Sequence, residues 1–142
     1  MHGFYGTFMH TLDPKNRVFV PAKLRNDLGE SFFITRKLTK KALAVYPASE
    51  WEKLEARLNE LPDSEVGDIK LFLFSHSVTA IPDSQGRILL TQSLVEYIKL
   101  NKNAVIIGCG RYAEIWAEDS YERMVAAEDA AAINEQLLDL GV

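Results

Sequence analysis

Asp13-Pro14-Lys15-Asn16-Arg17-Val18-Phe19-Val20 decides how this chain is read, because it returns as Asp83-Ser84-Gln85-Gly86-Arg87-Ile88-Leu89-Leu90. Each copy is an Asp-x-x-x-Arg turn followed by an apolar, strand-like triplet. The copies lie 70 positions apart (83 − 13). Pro14 presets its own backbone, and Asn16 or Gly86 at the fourth position tolerates a left-handed conformation. Two matched turns that each present an arginine predict a surface that touches its target twice.

The same offset reaches outward. It pairs Leu24 with Leu94, Leu28 with Ile98, Val45 with Ile115, Tyr46 with Trp116, Trp51 with Tyr121 and Leu54 with Met124, with no insertion needed. A fixed period with matched apolar positions marks an internal repeat. Two copies of so long a unit predict a pseudo-symmetric domain rather than a solenoid. Each half reads strand, turn, strand, short helix, strand, strand, helix. In the first half Phe8–Leu12, Val18–Val20, Phe32–Arg36 and Ala42–Tyr46 read as strands. Pro21 suits a helix start and Gly29 a helix stop. Ser49-Glu50-Trp51-Glu52 reads as a capping box, echoed by Asp119-Ser120-Tyr121-Glu122. Trp51, Leu54, Leu58 and Leu61 then fall on one helical face. Ile69–Phe74 fits a buried helix or a buried strand.

The expected fold class is α+β, a pseudo-twofold small β-barrel or sandwich with helices packed outside. Residues 1–126 form one domain in this reading. It holds repeats at about 7–60 and 77–126 joined by a polar connector, 61–76. Residues 127–142, with Ala130-Ala131-Ala132, form a helical tail.

Composition narrows the function. The chain has 142 residues, 47% hydrophobic and 25% charged, which suits one globular domain. No apolar run approaches the ~18 residues of a membrane-spanning helix. The start, Met1-His2-Gly3-Phe4-Tyr5-Gly6, lacks the basic and apolar segments of a signal peptide. Cys109 is the only cysteine, so no internal disulfide forms and a cytosolic protein is expected. The net charge of −4 argues against a generic nucleic-acid binder. It is unevenly spread, however. Residues 1–62 hold ten Lys/Arg against seven Asp/Glu, and residues 63–142 hold six against thirteen. The first half is the better source of positive surface.

The residues suggest recognition more than catalysis. His2, His10 and His76 are scattered without ligand spacing, so no metal is expected. Gly108-Cys109-Gly110 reads as a strand-connecting turn and not as a nucleophile loop. No glycine-rich phosphate loop is present. Glu50, Glu52 and Glu55 read as an exposed helical face. Arg36-Lys37-Leu38-Thr39-Lys40-Lys41 reads as a solvated hairpin tip. For the turns themselves two readings stand. Asp13 with Arg17, and Asp83 with Arg87, are either ion pairs that stabilise tight turns or carboxylates that brace arginines for a ligand. Arginine held in a fixed direction can donate twice to guanine.

Beyond these readings, the residues are similar to a known family. The repeated Asp-x-x-x-Arg turn resembles the swapped-hairpin DNA-binding module of AbrB-like transcription factors. Two such modules in a chain of this length resemble the MraZ family. The similarity runs nearly throughout Gly6-Thr7-Phe8-Met9-His10-Thr11-Leu12-Asp13-Pro14-Lys15-Asn16-Arg17-Val18-Phe19-Val20-Pro21-Ala22-Lys23-Leu24-Arg25. It returns in Val105-Ile106-Ile107-Gly108 and Glu114-Ile115-Trp116, and covers roughly residues 3–126. The chain departs from the family pattern at Thr91-Gln92, where Pro-Ala is usual, at Ser75-His76-Ser77, and at Asn16 in place of glycine. The resemblance implies a cytoplasmic, nucleoid-associated transcriptional regulator. It would bind tandem DNA boxes upstream of the division and cell-wall operon as a ring-shaped homo-oligomer. It implies Arg17 and Arg87 as DNA-contacting residues, with Lys15, Asn16, Lys23 and Arg25 beside them and Asp13 and Asp83 bracing the turns. No cofactor, small-molecule substrate or membrane partner is expected. An antitoxin-like protein-binding scaffold and a small-barrel enzyme are the rival readings.

Overall fold

The computed structural model describes residues 3–142, so the expectation for His2 lies outside the described residues. The first half runs β1 (Thr7–Thr11), β2 (Arg17–Phe19), α1 (Ala22–Leu28), β3 (Phe32–Arg36), β4 (Leu43–Pro47), α2 (Ala48–Asn59) and α3 (Asp63–Phe74). The second runs β5 (Val78–Ala80), β6 (Arg87–Leu89), α4 (Gln92–Tyr97), β7 (Asn103–Gly108), β8 (Ala113–Ala117), α5 (Glu118–Ala126) and α6 (Ala130–Asp139). The ambiguous Ile69–Phe74 is therefore helical. Pro62 precedes that helix with φ −63°, Asp63 and Glu65 occupy its first turn, and Val66 and Leu73 are buried two turns apart.

The fold is α+β, but it is not a barrel. Six strands form one open antiparallel sheet in the order β1-β7-β8-β4-β3-β5. Strands β2 and β6 form a separate two-stranded ribbon. Short β2 and β6 pair with each other and so leave β1 and β5 as free sheet edges. The sheet order is a palindrome under exchange of the halves. Each half lends its first strand to the other, since β1 pairs with β7 and β5 with β3. The pseudo-twofold passes between β4 and β8, where Leu43 faces Ile115 and Val45 faces Ala113.

The repeat is not free of insertions. Ile34 pairs with Val45 as Ile106 pairs with Ile115. Thus β4 maps to β8 at 70 (115 − 45), whereas β3 maps to β7 at 72 (106 − 34). Two extra residues between α4 and β7 are compensated by a β7–β8 connection two residues shorter than that between β3 and β4. A pairwise match at 70 cannot register changes that cancel.

Strand alternation sorts the sheet into two faces. Phe32, Ile34, Leu43, Val45, Ile106 and Ile115 face the ribbon, whose Val18, Val20, Ile88 and Leu90 are buried against them with Leu24 and Leu94 from α1 and α4. Burying each such side chain contributes about 1.5–3 kcal/mol. The opposite face lies under helices. Trp51 of α2 stacks on Phe33 with centroids 5.1 Å apart, and Tyr121 and Met124 of α5 cover Val105 and Trp116.

The helix starts differ from the capping-box expectation. α2 begins at Ala48 after Pro47, with no side-chain cap bond, which places Ser49 inside the first turn. α5 begins at Glu118 after Ala117 in the same way. The strand runs directly into the helix at both places, so the cap positions fall on Pro47 and Ala117, whose side chains cannot accept a hydrogen bond. Pro21 and Thr91 occupy equivalent positions before α1 and α4. Proline holds φ at −54° at one, and at the other the Thr91 hydroxyl accepts from the Leu94 amide.

One polar cluster is buried near the pseudo-twofold, on the helix-covered face. Glu114 is 7% exposed. It accepts from Lys37 Nζ at 2.7 Å, from the Trp116 indole at 2.8 Å and from the Tyr112 hydroxyl at 3.2 Å. Burial alone would lower the Lys37 pKa, but Glu114 and Tyr112 outweigh it and raise the pKa above its ordinary value. The Cys109 thiol beside this cluster is pushed up to about 11 by burial and by the Glu114 charge, which keeps it protonated at neutral pH.

Candidate nucleic-acid interface

Each Asp-x-x-x-Arg turn is closed by its own carboxylate. Asp13 Oδ1 accepts from the Lys15 and Arg17 amides, both at 2.9 Å, while Oδ2 accepts from Arg17 Nε at 2.7 Å. Asp83 does the same for the Gln85 and Arg87 amides and Arg87 Nε, each at 2.9 Å. The backbone closes in parallel, with Asp13 N–H donating to Arg17 O and Asp83 N–H to Arg87 O. Asn16 has φ 60° and Gly86 φ 81°, the left-handed position that the sequence requires of them. Local spacing therefore builds the turn, and the aspartates brace both backbone and guanidinium.

Electrostatics follow the geometry. Partial burial would raise the Asp13 pKa, but the Arg17 amide, the Arg17 guanidinium and the Lys15 amide together hold it below the ordinary carboxylate value. Asp83 is lowered first by the Arg87 amide, against partial burial, and then by the Gln85 amide and the Arg87 side chain. Both carboxylates are ionised at neutral pH. Each grips its arginine through Nε, so the turn's own carboxylate does not engage the terminal nitrogens.

The tertiary structure puts the two turns side by side. In the ribbon Arg17 faces Leu89, Val18 faces Ile88 and Phe19 faces Arg87. Val18 and Ile88 point inward, so both arginines share the outer face with Phe19 and Leu89. Cross-links tie turn to turn: Val20 N–H donates to Gly86 O at 2.9 Å and Leu90 N–H to Asn16 O at 2.8 Å. Arg87 Nη1 also lies 3.7 Å from Asp13 Oδ2. The Arg17 terminal nitrogens have no such neighbour among the described residues.

The flanking residues divide. Lys15 and Lys23 are exposed, at the first turn's tip and on α1. Asn16 Nδ2 donates to Gln92 Oε1 at 3.0 Å, which spans the two halves. Arg25 is held: Nε donates to Val20 O at 2.7 Å, and its guanidinium lies over the Phe19 ring at 5.5 Å and against Gly86. Arg25 thus props the second turn from the first half, a placement not evident from its position on a helix face. Its offset partner is Val95, and that of Gln92 is Ala22, so repeat logic carries no signal for either contact. His10, edge-on to Phe19 at 4.9 Å, was likewise invisible.

Gly86 is the glycine that the second turn itself requires. A Cβ there would lie 2.8 Å from Arg25 Cζ, on a backbone with φ 81°. Arg25 can yield at its far end, so the left-handed backbone accounts for most of the cost. Gly86→Ala is expected to destabilise by about 1–2 kcal/mol in chemical unfolding. A Gly86→Ala change within error of wild type would show that the second turn adopts another shape.

Fold and site together define a two-repeat α+β protein that exchanges its first strands and displays two clamped arginines on a ribbon lying across its pseudo-twofold. The family model described as "MraZ protein, putative antitoxin-like" matches residues 4–68 and again residues 73–140. The chain belongs to the MraZ family. It is 42% identical over 144 residues to a "Transcriptional regulator MraZ" of Pelotomaculum thermopropionicum, covering 98% of both chains. A protein of the same name from Oenococcus oeni is 40% identical over 140 residues, 96% of this chain and 97% of the relative. One from Desulfitobacterium hafniense is 42% identical over 145 residues, covering 98% and 99%.

Proposed function

We propose that this protein is a transcriptional regulator that binds double-stranded DNA sequence-specifically, with the β2–β6 ribbon as the reading surface. The observation that carries this reading is the pair of carboxylate-clamped arginines, Arg17 and Arg87, side by side on that ribbon. The major groove admits a two-stranded β-ribbon, and an arginine with both terminal nitrogens free can donate to O6 and N7 of one guanine. Asp13 and Asp83 orient the guanidinium before contact, which reduces the entropy lost on binding. Lys15 and Lys23 serve the phosphates, Asn16 lines the turn tip, and Arg25 stiffens the second turn with its charge near the rim.

One ribbon spans few base pairs. The protein therefore works as a homo-oligomeric ring on tandem boxes upstream of the division and cell-wall operon, where avidity multiplies weak single contacts. The turns gather on one rim and the acidic surface faces away, which reconciles a net charge of −4 with DNA binding. Action in the cytoplasm at the nucleoid follows. No catalytic step is part of this reading, and no helix among the described residues is long and apolar enough to cross a membrane.

The test is fluorescence anisotropy on the labelled duplex from upstream of the chain's own operon, across a salt series. Log affinity should fall linearly with log salt, by about 0.9 per phosphate neutralised, and scrambled DNA should bind far more weakly. Salt-insensitive binding, or equal affinity for the scrambled duplex, would sink the reading.

A further inference from the structure

The outer face of the ribbon carries two kinds of side chain, and the base contact proposed above uses only one of them. Arg17 and Arg87 share that face with Phe19 and Leu89, while Val18 and Ile88, 0% and 1% exposed, fill the core side. The four outer residues form a square. Each arginine stands across the ribbon from an apolar residue, Arg17 opposite Leu89 and Arg87 opposite Phe19.

The backbone hydrogen bonds fix how close those pairs come. Leu90 N–H donates to Asn16 O and Val20 N–H to Gly86 O, so the positions facing each other at 16 and 90, and at 20 and 86, are hydrogen-bonded pairs. Alternation along the ladder makes Arg17–Leu89 and Phe19–Arg87 the non-hydrogen-bonded pairs. In such pairs the Cα atoms approach to about 4.5 Å and the side chains lie closest. That separation is near the ~3.4 Å spacing of successive nucleotides along a strand. A side chain opposite Arg17 therefore falls over the base pair next to the one Arg17 takes.

The two apolar residues are not equally available. Phe19 is partly covered: the His10 ring meets it edge-on at 4.9 Å, and the Arg25 guanidinium lies over it at 5.5 Å. Arg87, opposite Phe19, already lies 3.7 Å from Asp13 Oδ2. Leu89 is 60% exposed. Single exposed leucines are ordinary on a protein surface, and exposure alone assigns no role. What sets Leu89 apart is its cross-strand neighbour, the arginine whose terminal nitrogens have no partner among the described residues.

Base chemistry then names the ligand. An aliphatic side chain gives no hydrogen bond to the nitrogen and oxygen atoms of the major groove and strips them of water. The apolar group that the groove offers in an unmodified base pair is the thymine C5 methyl. We infer that Leu89 is a specificity-determining residue that packs on a thymine methyl in the base pair beside the guanine held by Arg17. This rests on the DNA-reading function proposed above and gives the same site a second, apolar determinant. Arg17 donates to O6 and N7 of guanine, and Leu89 excludes water from the neighbouring methyl. A G·C or C·G pair in that position offers Leu89 no methyl. The second turn lacks this combination, because His10 and Arg25 hold Phe19, so the two sides of the ribbon read unequally.

Deoxyuridine provides the test, because uracil keeps every hydrogen-bonding group of thymine and lacks only the methyl. The duplex from upstream of the chain's own operon is made once with thymine and once with deoxyuridine throughout, and anisotropy is measured on both. Wild type should bind the uracil duplex about fourfold more weakly per engaged ribbon, the worth of one buried methyl group. Leu89→Ala should lose affinity for the thymine duplex and no longer tell the two duplexes apart. Leu89→Met, apolar and of similar volume, should restore the preference. The ratio separates recognition from fold, since a merely structural loss lowers both affinities together and leaves their ratio unchanged. Equal affinity of wild type for the two duplexes overturns the inference, as does a Leu89→Ala protein that keeps the wild-type ratio. If wild type is blind to uracil but still prefers the specific thymine duplex to scrambled DNA, only the role of Leu89 falls. If it shows no preference for the specific sequence, the DNA-reading function falls with it.

Discussion

Arg17→Ala is expected to lose roughly 5- to 150-fold in affinity for the specific duplex per engaged turn, while its weak binding to scrambled DNA changes little. The magnitude follows from about 1–3 kcal/mol of discrimination per bidentate arginine–guanine contact, at ~1.4 kcal/mol per tenfold. In an assembly with several turns on tandem boxes the losses multiply. Arg17 should exceed Arg87 because its terminal nitrogens are free among the described residues, whereas Arg87 Nη1 already lies 3.7 Å from Asp13 Oδ2. The Arg17→Lys variant separates charge from geometry. It keeps the cation but not the fork, so the salt slope should survive and the discrimination should not. Anisotropy on specific and scrambled duplexes reads both quantities. If Arg17→Ala still discriminates as wild type does, the turn pairs are structural and the ribbon does not read bases.

The largest stability effect should come from Glu114. Glu114→Ala removes the acceptor for Lys37, Trp116 and Tyr112 at once. Breaking a buried pair by deleting one partner costs about 3–5 kcal/mol. The Lys37 side chain keeps 20% exposure and can reach water, so the low end applies, about 3 kcal/mol. At equal protein concentration that is a fall in Tm of roughly 6–12 °C for a domain of this size. Adding Lys37→Met should recover part of it, since the stranded charge is then gone. The pH window is set by the lysine. Its pKa is raised above 10.5, so the pair's contribution is complete below that value and is lost as pH rises through the higher folded value. Glu114→Ala within ~0.5 kcal/mol of wild type would show that the cluster contributes little.

Much of this molecule is local, and local features were readable. The Asp13 and Asp83 turns are five-residue loops, and the bracing carboxylate lies four positions from the arginine it holds. The strands follow two-residue alternation, and Asn16 and Gly86 hold the left-handed position. The misread features depend on distant partners. Ser49 did not cap because β4 runs straight into α2, and Arg25 turned toward Gly86 across the pseudo-twofold. The offset of 72 between β3 and β7 was hidden because two compensating length changes restore 70 on either side.

The sequence by itself determined that the chain is doubled, where its turns fall and which residue clamps each arginine, because each depends on contacts only a few positions apart. Only the tertiary structure decided that the halves exchange first strands, that the sheet stays open and that the two arginines share one ribbon. The physical reason is that strand partners are chosen by burial across the whole core. β1 pairs with β7 at Thr7 and Ile107 and β5 with β3 at Ile34 and Val78, and the local alternation of a strand does not say which distant neighbour it takes. The same reason separates α3 from α6. Thr35 and Arg36 on a distant strand donate to the Leu73 and Phe72 carbonyls of α3, whereas α6 is exposed along its whole length.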